Sequence, residues 1–197
     1  TQGAGLSLQW FRNQLAPGTD YDMLTAEAAQ APAGSQGLYW LPYLMGERTP
    51  HLDASCRGGW IGLTAKHARA DLVRALLEGV CYSQKDCLDI IEELGIAVTS
   101  VRVSGGGARS AFWRQLLADV MGKPVVVLET QEGSAYGAAL MALVGTGVYG
   151  SVPEVCRAAI REVDSVEPRP AERDLYARGH TVYQALYPAL KPLYGRM

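Results

Sequence analysis

Residues 101–129 read VRVSGGGARSAFWRQLLADVMGKPVVVLE, and this stretch decides the fold. Val101-Arg102-Val103 alternates as a strand does, and Ser104-Gly105-Gly106-Gly107 then removes three side chains in a row. Glycine is the residue that lets another molecule approach the backbone at no steric cost. From Ala108 to Met121 the apolar residues Phe112, Leu116, Leu117, Val120 and Met121 recur at helical spacing. Lys123-Pro124 stops that helix, and Val125-Val126-Val127-Leu128 is a short apolar run suited to a buried strand. The spacing therefore predicts strand, glycine turn, helix, strand. A helix opening at such a turn presents unsatisfied N–H groups and a positive dipole end, which suits a nucleotide.

Two readings of the turn stay open at this point, beside a plain tight turn with no ligand. Gly105 and Gly107 fit the dinucleotide fingerprint G-x-G-x-x-G, with Ser110 where its third glycine belongs. Glu129, at the end of the next strand, suits a ribose in that scheme. The turn suits ATP equally well.

Bulk properties narrow the field. A chain of 197 residues with 48% hydrophobic content can bury a substantial core. Eighteen basic and 20 acidic residues leave a net charge of −2, which argues against a nucleic-acid surface. No apolar run has the length of a membrane span. A start at Thr1 with no signal peptide leads us to expect a piece of a longer cytoplasmic protein. Cys56, Cys81, Cys87 and Cys156 form no C-x-x-C pair and read as reduced, mostly buried thiols. His51, His67 and His180 are scattered, which gives zinc little support.

Before the glycine turn, the pattern predicts a short helix over Gly3–Leu15, stopped by Ala16-Pro17-Gly18. Thr19-Asp20 should cap a second helix over Tyr21–Gln30. Gly37–Met45 is an aromatic-rich strand that Pro42 makes irregular. The polar loop from Gly46 to His51 reads equally as a ligand-binding loop or a surface turn. A glycine-rich strand over Gly58–Leu63 leads into the longest helix, Arg69–Leu94, with Gly95 as its stop. Asp71 and Glu78 in that helix read as solvated or structural carboxylates, not an acid–base pair. After the turn come helices over Thr130–Val144, capped by Ser134, over Val152–Val163, and over Ala171–Leu186 frayed by Pro188 and Pro192. Gly137, Ala138, Ala139 and Ala142 form a small-residue face suited to close packing.

Taken together, four stretches resemble the FGGY family of carbohydrate kinases. Gly58-Gly59-Trp60-Ile61-Gly62-Leu63, then seven residues, then Asp71-Leu72-Val73-Arg74-Ala75-Leu76-Leu77-Glu78 is similar to the family's C-terminal signature. Ser104 through Ser110 resembles its adenosine motif. Leu41–Pro50 and Leu186–Lys191 are most like its xylulokinase branch.

The resemblance implies an α/β, actin-like (ribonuclease H-like) ATPase domain, a mixed sheet with helices on both faces, incomplete at its N-terminal strands. We expect that sheet to contain residues 38–43, 59–63, 100–104 and 125–128, with one edge left open for a partner such as a second copy. Residues 1–197 then form one partial domain, the C-terminal, ATP-side half of a sugar kinase. The implied cofactors are ATP and Mg²⁺. The adenosine should dock on Gly106, Gly107, Ala108 and Ser110, with Lys66 and Ala70 facing the same pocket. The first domain, which holds most of the sugar pocket and the catalytic base, has no counterpart here, and neither has the family's Gly-Thr-Ser turn. The implied reaction is phosphoryl transfer to a pentulose, with the chain inactive alone. Two alternatives are a dinucleotide-binding domain of an oxidoreductase and a non-catalytic actin-like module.

Overall fold

The computed structural model describes residues 1–130 and 133–197. The chain opens with α1 (Ala4–Leu15) and α2 (Tyr21–Gln30). Asp20 caps α2 as expected, its carboxylate accepting from the Met23 N–H at 2.7 Å. Then come β1 (Tyr39–Leu41), β2 (Gly59–Ile61) and the long α3 (Arg69–Glu93). Next come β3 (Val101–Val103), α4 (Gly106–Arg109), α5 (Ala111–Met121) and β4 (Val125–Leu128), the strand, glycine turn, helix and strand of residues 101–129. The chain closes with α6 (Gly133–Gly145), α7 (Val152–Ala159), β5 (Glu162–Val166) and α8 (Pro170–Tyr194).

The strands form two sheets, where the sequence suggested one. β1 and β2 pair antiparallel with each other, Trp40 opposite Trp60. β3 and β4 run parallel with α5 as their crossover, and β5 pairs antiparallel on the far side of β4. The mixed sheet is therefore β3-β4-β5, and the outer edge of β3 has no ladder partner among the described residues. The expected helix over 152–163 ends at Ala159, and its last residues enter β5. Val163 and Val166 flank polar Asp164 and Ser165, a spacing that serves a strand as well as a helix end.

Tryptophans dominate the core around the two-stranded sheet. Trp40 and Trp60 lie 4.3 Å apart between ring centroids, and Trp10 stacks on Trp40 at 5.7 Å. Buried Trp40 donates its indole N–H to Ser7 Oγ at 3.1 Å, and half-buried Trp60 donates to the Leu72 carbonyl at 3.1 Å. α8 runs eight residues beyond its predicted end. Pro188 and Pro192 sit on its exposed side, while Tyr176, Tyr183, Tyr187 and Tyr194 are buried along its inner side and hold the helix through the lost hydrogen bonds.

Asp71 and Glu78 are structural, and neither is solvated. Asp71 accepts from the Ala68 N–H at 2.9 Å and from Gln36 at 3.0 Å. Burial works against its charge, but these bonds outweigh that and hold its carboxyl below its ordinary value. Glu78, 2% exposed, accepts from Arg74, Ser35, the Gly34 N–H and Tyr176. Its burial pushes the carboxyl up against the pull of those donors. This network ties α3 to α8 and to the segment after α2, which is why a signature acid sits there.

The predicted helix over 130–144 includes residues 131 and 132, which lie outside the described residues. Ser134 stands inside α6 and not at its cap. Ala138, Ala139 and Ala142 are exposed on α6, and Gly137 alone of the small-residue face is half-buried. Cys56 and Cys81 are buried thiols, and Cys87 and Cys156 are half-buried.

Candidate functional site

The glycine turn has three separate reasons for its three glycines. Gly105 has a φ of +76°, a conformation that side chains rarely adopt. A Cβ on Gly106 would meet nothing within 4 Å. A Cβ on Gly107 would stand 3.4 Å from Cε3 of Trp113, so that glycine carries the indole face. Backbone freedom, open space and ring packing therefore occupy consecutive positions.

The helix after the turn is not continuous. α4 is a single turn, Ser110 is extended, and α5 starts anew at Ala111. Ser110 Oγ caps α5 by accepting from the Trp113 N–H at 3.3 Å. This corrects the dipole expectation, because one turn of helix sums few peptide dipoles. It also means that the Ser110 hydroxyl oxygen already has a role in the cap.

A cleft of about 560 Å³ opens beside the turn. Gly106, Gly107, Ser110 and Trp113 form one wall. Gly5, Leu8 and Gln9 of α1 form a second, and Asp20, Tyr21, Asp22 and Thr25 at the start of α2 form a third. Gly5 also has nothing within 4 Å of its Cβ position, so two bare stretches of backbone line this space. A smaller cavity of about 240 Å³ adjoins it, sharing Gly5, Gly106, Gly107 and Trp113 and adding Ser104, Ala108 and Arg114.

Of the expected contacts, Gly106, Gly107 and Ser110 come together at the cleft, while buried Ala108 lines the smaller cavity. Lys66 and Ala70 line neither, and they stand in the turn before α3 and in its first turn. Gly5, Gln9 and Asp22 were not anticipated. A signal for them existed: glycine in the first turn of a helix costs stability, and Gln9 four residues on shares its face. The polar loop at 46–51 uses its groups internally. Buried Glu47 accepts from Gln2 N–H at 3.0 Å and Thr1 Oγ1 at 2.6 Å, and His51 stacks on Tyr187 at 3.6 Å.

Metal ligands do not converge on the cleft. Asp20 and Ser110 are engaged as caps, and the Thr25 hydroxyl donates to the Asp22 carbonyl at 3.1 Å. Among the described residues, the one cluster of three ligand-type side chains is Asp86, Asp89 and His180, between α3 and α8. His180 bonds Asp86 at 2.8 Å, Gln184 bonds the same carboxylate at 2.9 Å, and Lys85 pairs with Asp89. The residues present thus do not fit a resident Mg²⁺ beside the glycine turn.

The mixed β3-β4-β5 sheet with a glycine turn opening on a cleft defines an α/β domain, and the solved structures it superposes on are sugar kinases of the actin-like type. The sequence profile described as FGGY family of carbohydrate kinases, C-terminal domain, matches residues 2–146. A xylulose kinase of Staphylococcus epidermidis is 39% identical over 194 residues, covering 98% of this chain and 39% of that protein. The crystal structure of ligand-bound xylulose kinase from Lactobacillus acidophilus superposes with a TM-score of 0.92 at 29% identity, covering 98% of this chain and 39% of that one. Gluconate kinase from Lactobacillus acidophilus follows at 0.90 and 28%, with the same coverage. The chain belongs to the FGGY family of carbohydrate kinases and spans about two fifths of the length of these relatives. The dinucleotide alternative falls with that assignment, and Glu129 lines neither cavity. No helix among the described residues is long and apolar enough to cross a membrane.

Proposed function

We propose that this chain is the ATP-binding half of a sugar kinase that transfers the γ-phosphate of ATP to a pentulose, D-xylulose to xylulose 5-phosphate. The observation that carries the reading is the cleft between Gly5 and Gly106, two glycines with no neighbour at their Cβ positions inside about 560 Å³ of space. Flat groups dock against bare backbone, and the Gln9 amide and Asp22 carboxylate supply donors and acceptors for a base or ribose. The carboxylates of Asp20 and Asp22 disfavour phosphate at their end of the cleft, so the polyphosphate is directed toward the glycine turn.

Phosphoryl transfer rests on positioning and charge stabilisation, and the sugar's hydroxyl needs a base near it. The carboxylates at this cleft are a helix cap and its neighbour, so the chain alone should bind nucleotide weakly and turn over nothing. General-base catalysis contributes about 10²–10⁴-fold. A coupled assay of ADP release with ATP, magnesium and either xylulose or gluconate tests this. The full-length protein should respond to xylulose first, and the 197-residue chain to neither sugar. Sugar-dependent ADP release by the chain alone would overturn the inactive-half reading. A full-length protein that prefers gluconate would overturn the pentulose assignment.

A further inference from the structure

Arg114, in the first turn of α5, reaches back over the glycine turn. Its Nη1 donates to the Ala108 carbonyl at 2.6 Å and to the Arg109 carbonyl at 3.3 Å. Nη2 donates to Asp164 Oδ2 at 3.0 Å, on β5. Nε is buried and makes no hydrogen bond among the described residues, and the side chain lines the smaller cavity beside Gly106 and Gly107. One guanidinium thus joins three elements: the one-turn α4, the helix behind it and an antiparallel strand fifty residues on.

α4 has little else to hold its shape. One helical turn cannot stabilise itself, because nucleation fixes several residues for a single hydrogen bond. Its carbonyls are free of any continuing helix, since Ser110 breaks away to cap α5. Trp113 braces the turn at Gly107, and Arg114 ties down its C-terminal carbonyls. The charge-assisted bonds from a planar, permanently charged fork suit this better than lysine's point charge.

We infer that Arg114, anchored by Asp164, is a positioning residue that holds the glycine turn in the shape an adenine nucleotide requires. The inference rests on the nucleotide reading given above. It reaches beyond the glycine motif, because the anchor lies on a strand outside it.

The test uses the full-length protein with Arg114→Met, Arg114→Lys, Asp164→Asn and Gly106→Val. ATP affinity is read by tryptophan fluorescence, since Trp113 lines both cavities, and KM is measured separately for ATP and sugar. Arg114→Met should raise the KM and Kd for ATP about tenfold, the scale of one charge-assisted hydrogen bond, with the sugar KM unchanged. Arg114→Lys keeps a donor for the Ala108 carbonyl but cannot bridge to Asp164, so it and Asp164→Asn should fall between. A merely structural role would lower kcat through a smaller folded fraction and leave both KM values alone, and that result overturns the inference. If Arg114→Met does not fold, an unchanged ATP KM in Arg114→Lys and Asp164→Asn overturns it. Loss of ATP binding in Gly106→Val beside normal binding in the Arg114 variants sinks this inference alone. Normal binding in Gly106→Val sinks the nucleotide reading itself.

Discussion

Gly79 and Trp40 meet backbone to backbone: a Cβ on Gly79 would fall 2.0 Å from the Trp40 carbonyl oxygen. This contact lets the middle of α3 lie against β1, and it explains why a helix tolerates glycine at its centre. Gly79→Ala should cost roughly 3 kcal/mol, the upper end for overpacking, because the backbone at buried Trp40, paired to β2, cannot retreat. Gly179, whose Cβ would approach Tyr82 Oη at 2.2 Å, faces the far end of a side chain. Urea denaturation should rank Gly79→Ala as the more damaging of the two, and the reverse order would contradict the backbone argument.

The two inner glycines of the turn should separate by phenotype. Gly106→Val projects into open space, so folding should hold to within about 1 kcal/mol, the scale of helix propensity, while ATP affinity drops. Gly107→Val pushes on Trp113 and should cost about 1–3 kcal/mol of stability as well. Thermal midpoints and nucleotide titrations on both variants check this, and equal stability losses would show that Gly106 is also packed.

Acid should loosen the loop before β2. Asp53 accepts from the Ser55 hydroxyl at 2.6 Å, the Ser55 N–H at 2.8 Å and Tyr187 Oη at 2.9 Å. These bonds hold its carboxyl at about 2, against an ordinary 3.8. A depressed folded-state value means the contribution is fully present above 3.8 and is lost as the pH falls toward 2. Asp53→Asn should flatten the stability profile in that window, and a profile identical to wild type would count against the assignment.

His51 works in a higher window. It lies 3.6 Å above Tyr187 with the rings 5° from parallel. Burial lowers its pKa from an ordinary 6.5, against the opposing pull of Asp86, Glu47 and Asp53. The unfolded chain therefore takes up the proton first, so this stabilisation is complete above pH 6.5 and is lost as the pH falls below it. His51→Phe keeps a stacked ring without the titration. Its melting temperature should fall less than that of wild type on mild acidification, and parallel curves would refute the role.

Local chemistry was legible in the sequence. The Asp20 cap, the stop at Ala16-Pro17-Gly18, the span of α3 and the strand–glycine–helix order from Val101 were all readable, because each depends on residues within a few positions of one another. The same holds for the family signature and for Gly106, Gly107 and Ser110 at the cleft. Ser110 shows where local reading stops. A serine inside an apolar repeat fits a continuous helix, and only the cap to Trp113 reveals two helices.

Tertiary structure alone decided the rest. Gly5 and Gln9 meet Gly106 across about a hundred residues of chain, and Arg114 meets Asp164 across fifty. Neither pairing leaves a periodic trace, since hydrophobic spacing encodes which face is buried and not what it is buried against. β5 was missed for the same reason: its residues suit a helix end until β4 offers them a ladder. The sequence by itself determined most of the elements, the Asp20 cap and the family. Which walls close around the glycine turn, and what holds that turn in place, was decided by packing between elements distant in the chain.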